Sequence, residues 1–167
     1  MATPEKFPGG LPTLPTRVIL AGEDAGSYPF HGKDAGVLFK VTTVQSRGTS
    51  LVLEVFGRGF APPEHLHLEQ DEFLYVLFGA VSVKTDGVFT VMRTGDSVFI
   101  PRGTAHAYAF AQETTTRMLM AYTPALMMEE YLLGLMVDER FHDEAMLARY
   151  GMKPMGPPIG APPPRRG

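Results

Sequence analysis

The feature that most constrains this chain is a series of short apolar runs, separated by glycine and proline, along its middle. They are rich in Val, Phe, Leu and Tyr and lie at 38–43, 50–56, 73–78, 80–83, 89–92, 97–100, 105–110 and 118–122. Several alternate, so that Leu51, Leu53 and Val55 share one face. Asp86-Gly87 between two runs is a strong hairpin signal. Many short strands, one in roughly ten residues, predict an all-β sandwich or barrel.

Beyond Pro124 the apolar period changes to that of a helix. Apolar side chains recur at the spacing i, i+3, i+4, i+7 and i+8, at Met128, Tyr131, Leu132, Leu135 and Met136. A second, shorter helix is predicted over 143–150, with Asp143 as its N-cap and Gly151 after its end. We expect these helices to pack on the β domain, with a lid over a ligand as the alternative.

Proline-rich stretches mark both ends of the chain and indicate extended segments. The predicted organisation has four parts. It consists of an N-terminal arm over 1–16, a β-barrel over 17–123, C-terminal helices packed on the barrel over 124–152, and a flexible tail over 153–167.

Composition excludes several classes of function. The 167 residues fit one domain, and the absence of cysteine excludes disulfides, zinc–thiolate sites and thiol catalysis. The net charge is −3, and Arg165-Arg166 is the only tight basic pair, which argues against nucleic acid as a partner. There is no apolar run of about 18 residues, and the first residues, MATPEKFPGGLPTLP, do not predict a secretory leader. We therefore expect a cytoplasmic protein without a membrane partner.

The residues that suggest chemistry are histidines and one glutamate. His65 and His67 lie at i and i+2 in PPEHLHLEQDE, so on a strand both point to the same side. Glu72 follows after a predicted bend, and His106 in PRGTAHAY can supply a third imidazole. If these four side chains converge, they form a site for a divalent first-row metal. A surface or cross-strand histidine pair is the structural alternative.

The donor set also bears on which metal would bind. Four protein ligands that leave open positions suit Mn, Fe, Co, Ni or Cu, which accept five or six ligands, better than Zn. We expect one such ion in each chain. An ion with open positions can bind and polarise a substrate, or hold it beside dioxygen.

Two stretches resemble the conserved motifs of the cupins. GFAPPEHLHLEQDEFLYVLFG, from Gly59 to Gly79, resembles the first motif, and GDSVFIPRGTAHAYAF, from Gly95 to Phe110, resembles the second. Phe110 stands where the second motif has asparagine, which is not a metal ligand. The resemblance implies a cupin (jelly-roll) β-barrel with one or two C-terminal helices. It also implies a metal site formed by His65, His67, Glu72 and His106.

Among cupins, the ligand set resembles that of the single-domain quercetin 2,3-dioxygenase type. That resemblance implies a metal-dependent dioxygenase that cleaves a flavonol-like, enolic or phenolic small molecule with O2. In such enzymes the residue equivalent to Glu72 is a catalytic base as well as a ligand; a purely ligating role is the alternative. Two other functions stay open: a metal-dependent isomerase, lyase or decarboxylase acting on a small oxygenated acid, and a non-catalytic cupin that binds a small ligand.

The interior of a small barrel would supply apolar walls around the metal. Six aromatic residues are candidates to bind substrate there: Phe60, Phe73, Tyr75, Phe99, Tyr108 and Phe110. Strand alternation alone leaves open which of them point inward. The resemblance further implies a homodimer.

Overall fold

The computed structural model describes residues 16–26, 30–31, 35–135 and 143–162. Most of the predicted N-terminal arm (1–15), Met136 of the predicted helix and the end of the predicted tail (163–167) lie outside the described residues. Within the described residues, no helix combines the length and apolar character that a membrane crossing needs.

The described elements are mostly strands, as the sequence predicts. In chain order they are β1 (Phe30–His31), β2 (Ala35–Val41), α1 (Thr43–Ser46), β3 (Leu51–Gly57), β4 (Glu64–His67), β5 (Asp71–Phe78), β6 (Ala80–Thr85), β7 (Val88–Arg93), β8 (Ser97–Ile100), β9 (His106–Phe110), β10 (Thr116–Thr123), α2 (Met128–Leu135), α3 (Glu144–Arg149) and β11 (Met152–Gly156).

The strands form two antiparallel sheets. One has the order β1-β2-β3-β10-β5-β8 and the other β11-β4-β9-β6-β7. Their inner faces enclose one apolar core. Leu51, Leu53 and Val55 are all buried in it, as their alternation along β3 predicted. The all-β prediction is confirmed.

The β6–β7 hairpin turns at the predicted dipeptide. Asp86 and Gly87 both have positive φ, at 47° and 81°, and Thr85 pairs with Val88 across the turn. Two central residues with positive φ match the twist of the flanking strands, which is why Asp-Gly is a strong hairpin signal.

A short helix interrupts the region predicted to be strand over 38–43. Strand β2 ends at Val41, and α1 begins after Thr42, whose hydroxyl accepts from the backbone N–H of Gln45. The Gln45 side chain accepts from the Thr42 backbone N–H in return. This reciprocal cap gives the backbone N–H groups of Thr42 and Gln45 hydrogen-bond partners at the start of the helix.

The prediction of a flexible tail over 153–167 is wrong for the first part of that range. Strand β11 pairs with β4 along the edge of the second sheet, where Pro154 lies opposite His65. Proline is tolerated there because an edge strand need not donate every backbone hydrogen bond. Further on, Pro162 is buried and lines a cavity of about 720 Å³ with Ala80 and Ala111.

The C-terminal helices pack on the core as expected, through Met128 and Tyr131 of α2 and Leu147 of α3. A buried glutamine fixes the start of α2 to the β4–β5 turn. The Gln70 side-chain amide donates to the carbonyl oxygens of Pro124 (3.0 Å) and Ala125 (2.7 Å).

Replacing Gln70 with Leu should lower the free energy of unfolding by about 1–3 kcal/mol, because two carbonyl groups lose their donor in a buried place. Urea unfolding measures the change. Glu69→Ala is the matched control at the exposed neighbouring position, where substitutions cost at most about 0.5 kcal/mol. Equal stability of the two variants would contradict the anchoring role of Gln70.

Candidate metal centre

Three histidines meet on the inner face of the second sheet. His65 and His67 lie on β4, and His106 begins β9, where it is the direct cross-strand partner of His65. The ring centroids of His65 and His106 are 4.6 Å apart, those of His65 and His67 5.1 Å, and those of His67 and His106 5.5 Å. The i, i+2 spacing and the strand pairing together produce this convergence.

The carboxylate comes from the opposite sheet. Glu72 lies on β5 among residues whose side chains point inward and is 1 % exposed. Its Oε2 lies 2.8 Å from Nε2 of His106 and 3.3 Å from Nε2 of His67. One ligating atom from each of the four side chains lies within 4.8 Å of all the others. The structure thus brings the four predicted ligands together.

Backbone carbonyls orient two of the imidazoles. Nδ1–H of His65 donates to the Pro63 carbonyl, and Nδ1–H of His106 donates to the Thr104 carbonyl, both at 2.9 Å. Each ring therefore turns its Nε2 atom to the other ligands, as metal-binding histidines commonly do. Gly103, with φ 81°, donates its N–H to the His67 carbonyl (2.7 Å) and so joins the turn before β9 to β4.

The charges within the cluster suit a cation. Burial alone would raise the pKa of Glu72, but the nearby His106 and His67 outweigh it and hold this pKa well below its ordinary value. Burial, together with electrostatic interaction with His106 and His67, lowers the pKa of His65 to about 4. Burial would lower the pKa of His106, yet the Glu72 carboxylate raises it above its ordinary value. Near neutral pH, Glu72 is thus an anion and His65 a neutral imidazole, the donor forms that metals bind.

Unsatisfied atoms in the cluster also fit a bound ion. Nδ1 and Nε2 of His67 and Oε1 of Glu72 are buried without a hydrogen-bond partner of good geometry among the described residues. Buried polar atoms are normally paired, and a bound ion is one of the standard explanations for an exception. Three imidazole nitrogens and a carboxylate oxygen form a donor set typical of first-row transition metals.

Tyr122 is a site residue that the sequence reasoning missed. It lies on β10 directly opposite Glu72, and its ring centroid is 5.5 Å from that of His67. Burial, followed by the nearby Glu72 carboxylate, raises the pKa of Tyr122 well above its ordinary value. Its alternation with Met118 and Met120 indicates an inward side chain. Only the pairing of β10 with β5 reveals its neighbour.

A cavity of about 80 Å³ adjoins the cluster. His65 and His67 line it, together with the three phenol rings of Tyr108, Tyr122 and Tyr131. Apolar side chains complete the wall, several of them from α2, α3 and the start of β11. None of the described residues that line the cavity is Lys, Arg, Asp or Glu.

The six aromatic candidates for substrate binding lie in three different places: the cavity wall, the core and the outer face of the first sheet. Phe60 and Tyr108 line the cavity, so their contact with substrate stays a prediction. Phe110 is fully buried in the core behind them, with its ring centroid 5.9 Å from that of Phe60.

The prediction for Phe73, Tyr75 and Phe99 is wrong, because all three lie on the outer face of the first sheet. Alternation along β5 places Glu72 inward and Phe73 and Tyr75 outward. Phe99 pairs with Phe73 and is 61 % exposed.

An ion pair between Asp71 and Arg102 lies next to the cluster and joins the start of β5 to the turn before β9. The Asp71 carboxylate accepts from the backbone N–H of Arg102 (2.9 Å) and from its Nε (3.0 Å) and Nη2 (2.9 Å). These hydrogen bonds lower the pKa of Asp71 from 3.8 to about 2. A carboxyl group whose pKa is lower in the folded than in the unfolded state stabilises the fold at pH values above its unfolded-state pKa. This stabilisation is lost as the pH falls through the folded-state pKa.

We therefore expect Asp71→Asn to lower the melting temperature at pH 7, with the deficit relative to wild type shrinking as the pH falls from about 4 towards 2. Calorimetry across this range measures it. Asp86→Asn is the matched control, because asparagine suits the positive φ of that exposed turn equally well. A deficit that does not change with pH would show that charge pairing at Asp71 is not its cause.

Comparison with known proteins agrees with this fold. Residues 52–122 match the family model described as a cupin domain. The chain is 29 % identical over 119 residues to quercetin 2,3-dioxygenase of Bacillus subtilis, an alignment that covers 71 % of this chain but 32 % of that enzyme. It is 28 % identical over 106 residues to protein SchB of Streptomyces halstedii, covering 64 % of this chain and 77 % of that protein.

Among solved structures, the polyketide cyclase RemF of Streptomyces resistomycificus has the same fold. It superposes with a TM-score of 0.51 at 21 % identity over 66 % of this chain and 80 % of that one. The matched residues 52–122 include both motifs, all four clustered side chains and the paired strands that carry them. Residues 52–122 are therefore similar to the cupin domain in both motifs and in fold.

Proposed function

We propose that this protein is a metal-dependent dioxygenase of an uncharged enolic or phenolic small molecule. The observation that carries the proposal is that the His65–His67–Glu72–His106 cluster adjoins a cavity whose described wall is apolar and phenolic. Substrate acids are usually bound through Lys or Arg, and neither contributes to that wall.

The four clustered side chains would hold a divalent first-row ion, which when bound supplies a Lewis acid with open positions for a substrate oxygen and for dioxygen. The apolar wall excludes water from the reacting groups. The tyrosine rings can orient an aromatic substrate by edge or offset contacts. Glu72 is ionised near neutral pH and is the group that accepts the proton of the substrate hydroxyl.

The relationship to the Bacillus subtilis quercetin 2,3-dioxygenase supports oxygen chemistry. Cavity size, in contrast, argues for a substrate smaller than a flavonol. Pockets for drug-sized ligands usually measure about 300–1,000 Å³, whereas this cavity measures about 80 Å³ with α2 and α3 in place. A single-ring phenol or a compact enol fits it better.

The same small volume favours a second candidate, a metal-dependent isomerase or lyase that acts without oxygen. Oxygen uptake by the metal-loaded protein separates the two. The dioxygenase proposal predicts oxygen uptake with catechols or compact enols and little uptake with the corresponding carboxylic acids. Product formation under strict anaerobiosis would instead establish the second candidate.

Glu72→Gln should abolish stoichiometric metal binding. Losing even an outer hydrogen-bond partner of a ligand costs about 10–100-fold in metal affinity, so losing a ligand should cost more than about 100-fold. Elemental mass spectrometry after growth with Mn, Fe, Co, Ni, Cu and Zn measures the bound ion. His65→Ala should behave in the same way.

Glu69→Gln is the matched control, the same substitution at an exposed carboxylate three residues earlier, and it should keep wild-type metal content. If Glu72→Gln and Glu69→Gln bind metal equally, Glu72 is not a ligand. If the wild-type protein takes up no metal, the dioxygenase proposal fails.

Leu132→Ala should widen the range of substrates, because Leu132 on α2 lines the cavity. We expect the ratio of kcat/KM for a flavonol to that for a catechol to rise by about tenfold or more. Leu133→Ala removes the same atoms from a neighbouring position that packs on the core but does not line the cavity. An equal change of the ratio in both variants would contradict α2 as the size-limiting wall.

A further inference from the structure

Glu72 lies behind the cavity wall. It is 1 % exposed and does not line the cavity, whereas Tyr122 and His67 do. A substrate in the cavity therefore meets the Tyr122 side chain before it can meet the Glu72 carboxylate. Direct proton transfer from a substrate hydroxyl to Glu72 would need the carboxylate to leave its contacts with His106 and His67.

Tyr122 lies between the cavity and the Glu72 carboxylate. It is the direct cross-strand partner of Glu72 in the first sheet, and side chains at such positions are close neighbours. Its ring contacts His67, 4 % of its surface is exposed, and it lines the cavity. Its backbone is held on both sides, by Glu72 on β5 and Leu51 on β3, so little freedom remains for the ring.

From this arrangement we propose that Tyr122 is a catalytic residue that relays the substrate's hydroxyl proton to Glu72. The relay rests on the proposed function, since it needs a substrate hydroxyl in the cavity. The substrate O–H bond breaks as its proton passes to Oη of Tyr122, and the Tyr122 O–H bond breaks as its own proton passes to Oε1 of Glu72. Tyr122 ends neutral, Glu72 ends as the acid, and the substrate keeps the electron pair.

The atoms at either end of the relay suit it. Oε1 of Glu72 has no hydrogen-bond partner of good geometry among the described residues, and the Tyr122 side chain is near enough to Glu72 to interact with it by hydrogen bonding. The hydroxyl of the neighbouring Tyr108 instead points to Sδ of Met120 at 3.8 Å.

Tyr122→Phe tests the relay, and Tyr75→Phe, on the outer face of β5 and away from the cavity, is the matched control. The zinc-loaded proteins are mixed without oxygen in a stopped-flow instrument with saturating 4-nitrocatechol, whose neutral and deprotonated forms have different colours. The pH is chosen so that the free probe is neutral. General acid–base groups contribute about 10²–10⁴-fold to rates, so deprotonation should slow about 100-fold or more in Tyr122→Phe. Metal content and probe affinity should stay as in wild type, and Tyr75→Phe should keep the fast rate.

An unchanged rate in Tyr122→Phe overturns the relay. Loss of metal by that variant also overturns it, because Tyr122 would then serve to hold the Glu72 ligand. A wild-type protein that binds metal but not the probe overturns the proposed substrate class and the relay with it.

The wild-type protein offers a test that needs no variant. Two protons move together in the relay, so the rate should depend on the deuterium fraction of the solvent along a curve. A straight line means that one proton moves, and the relay is then wrong.

Discussion

The contact between the buried Glu72 carboxylate and the histidine rings is the interaction on which the site depends. Burying a carboxylate costs several kcal/mol unless opposite charge and hydrogen bonds compensate it. Compensation comes from the other sheet, where His106 and His67 approach Oε2 of Glu72 to 2.8 and 3.3 Å. The two sheets are therefore joined by polar groups as well as by the apolar core. Both ring nitrogens of His67 and Oε1 of Glu72 have no hydrogen-bond partner of good geometry among the described residues. A bound cation would give such atoms a partner.

The C-terminal segments give this centre its second property, a small cavity whose wall, among the described residues, contains no Lys, Arg, Asp or Glu. Helices α2 and α3 and the start of β11 place Leu132, Leu147 and Met152 over the histidines. The β11 strand lies beside β4 and so borders the strand that carries His65 and His67. A cavity closed by apolar groups strengthens electrostatic contacts inside it and limits the size of what enters. If the protein is the proposed enzyme, the two sheets supply its reactive groups and the C-terminal helices limit the size of its substrate.

Sequence reasoning reached the parts that local spacing determines. The i, i+2 histidines, the Asp86-Gly87 turn and the alternation along β3 each depend on neighbours in the chain, and the structure agrees with them. What it missed depends on pairing between distant segments. Phe73 and Tyr75 point outward because Glu72 points inward, and the aromatic pattern of β5 does not reveal that choice. Likewise, only the alignment of β10 with β5 brings Tyr122 to Glu72, and only an open edge on β4 turns part of a proline-rich tail into β11.

The central claim is that His65, His67, Glu72 and His106 bind one metal ion together. X-ray absorption spectroscopy of the cobalt-loaded protein tests it most directly, because ordered imidazole rings leave a distinct outer scattering pattern. The account predicts one cobalt per chain, bound by three imidazole nitrogens and by oxygen donors that include a carboxylate. A spectrum with one imidazole or none, or one that Glu72→Gln leaves unchanged, would contradict it.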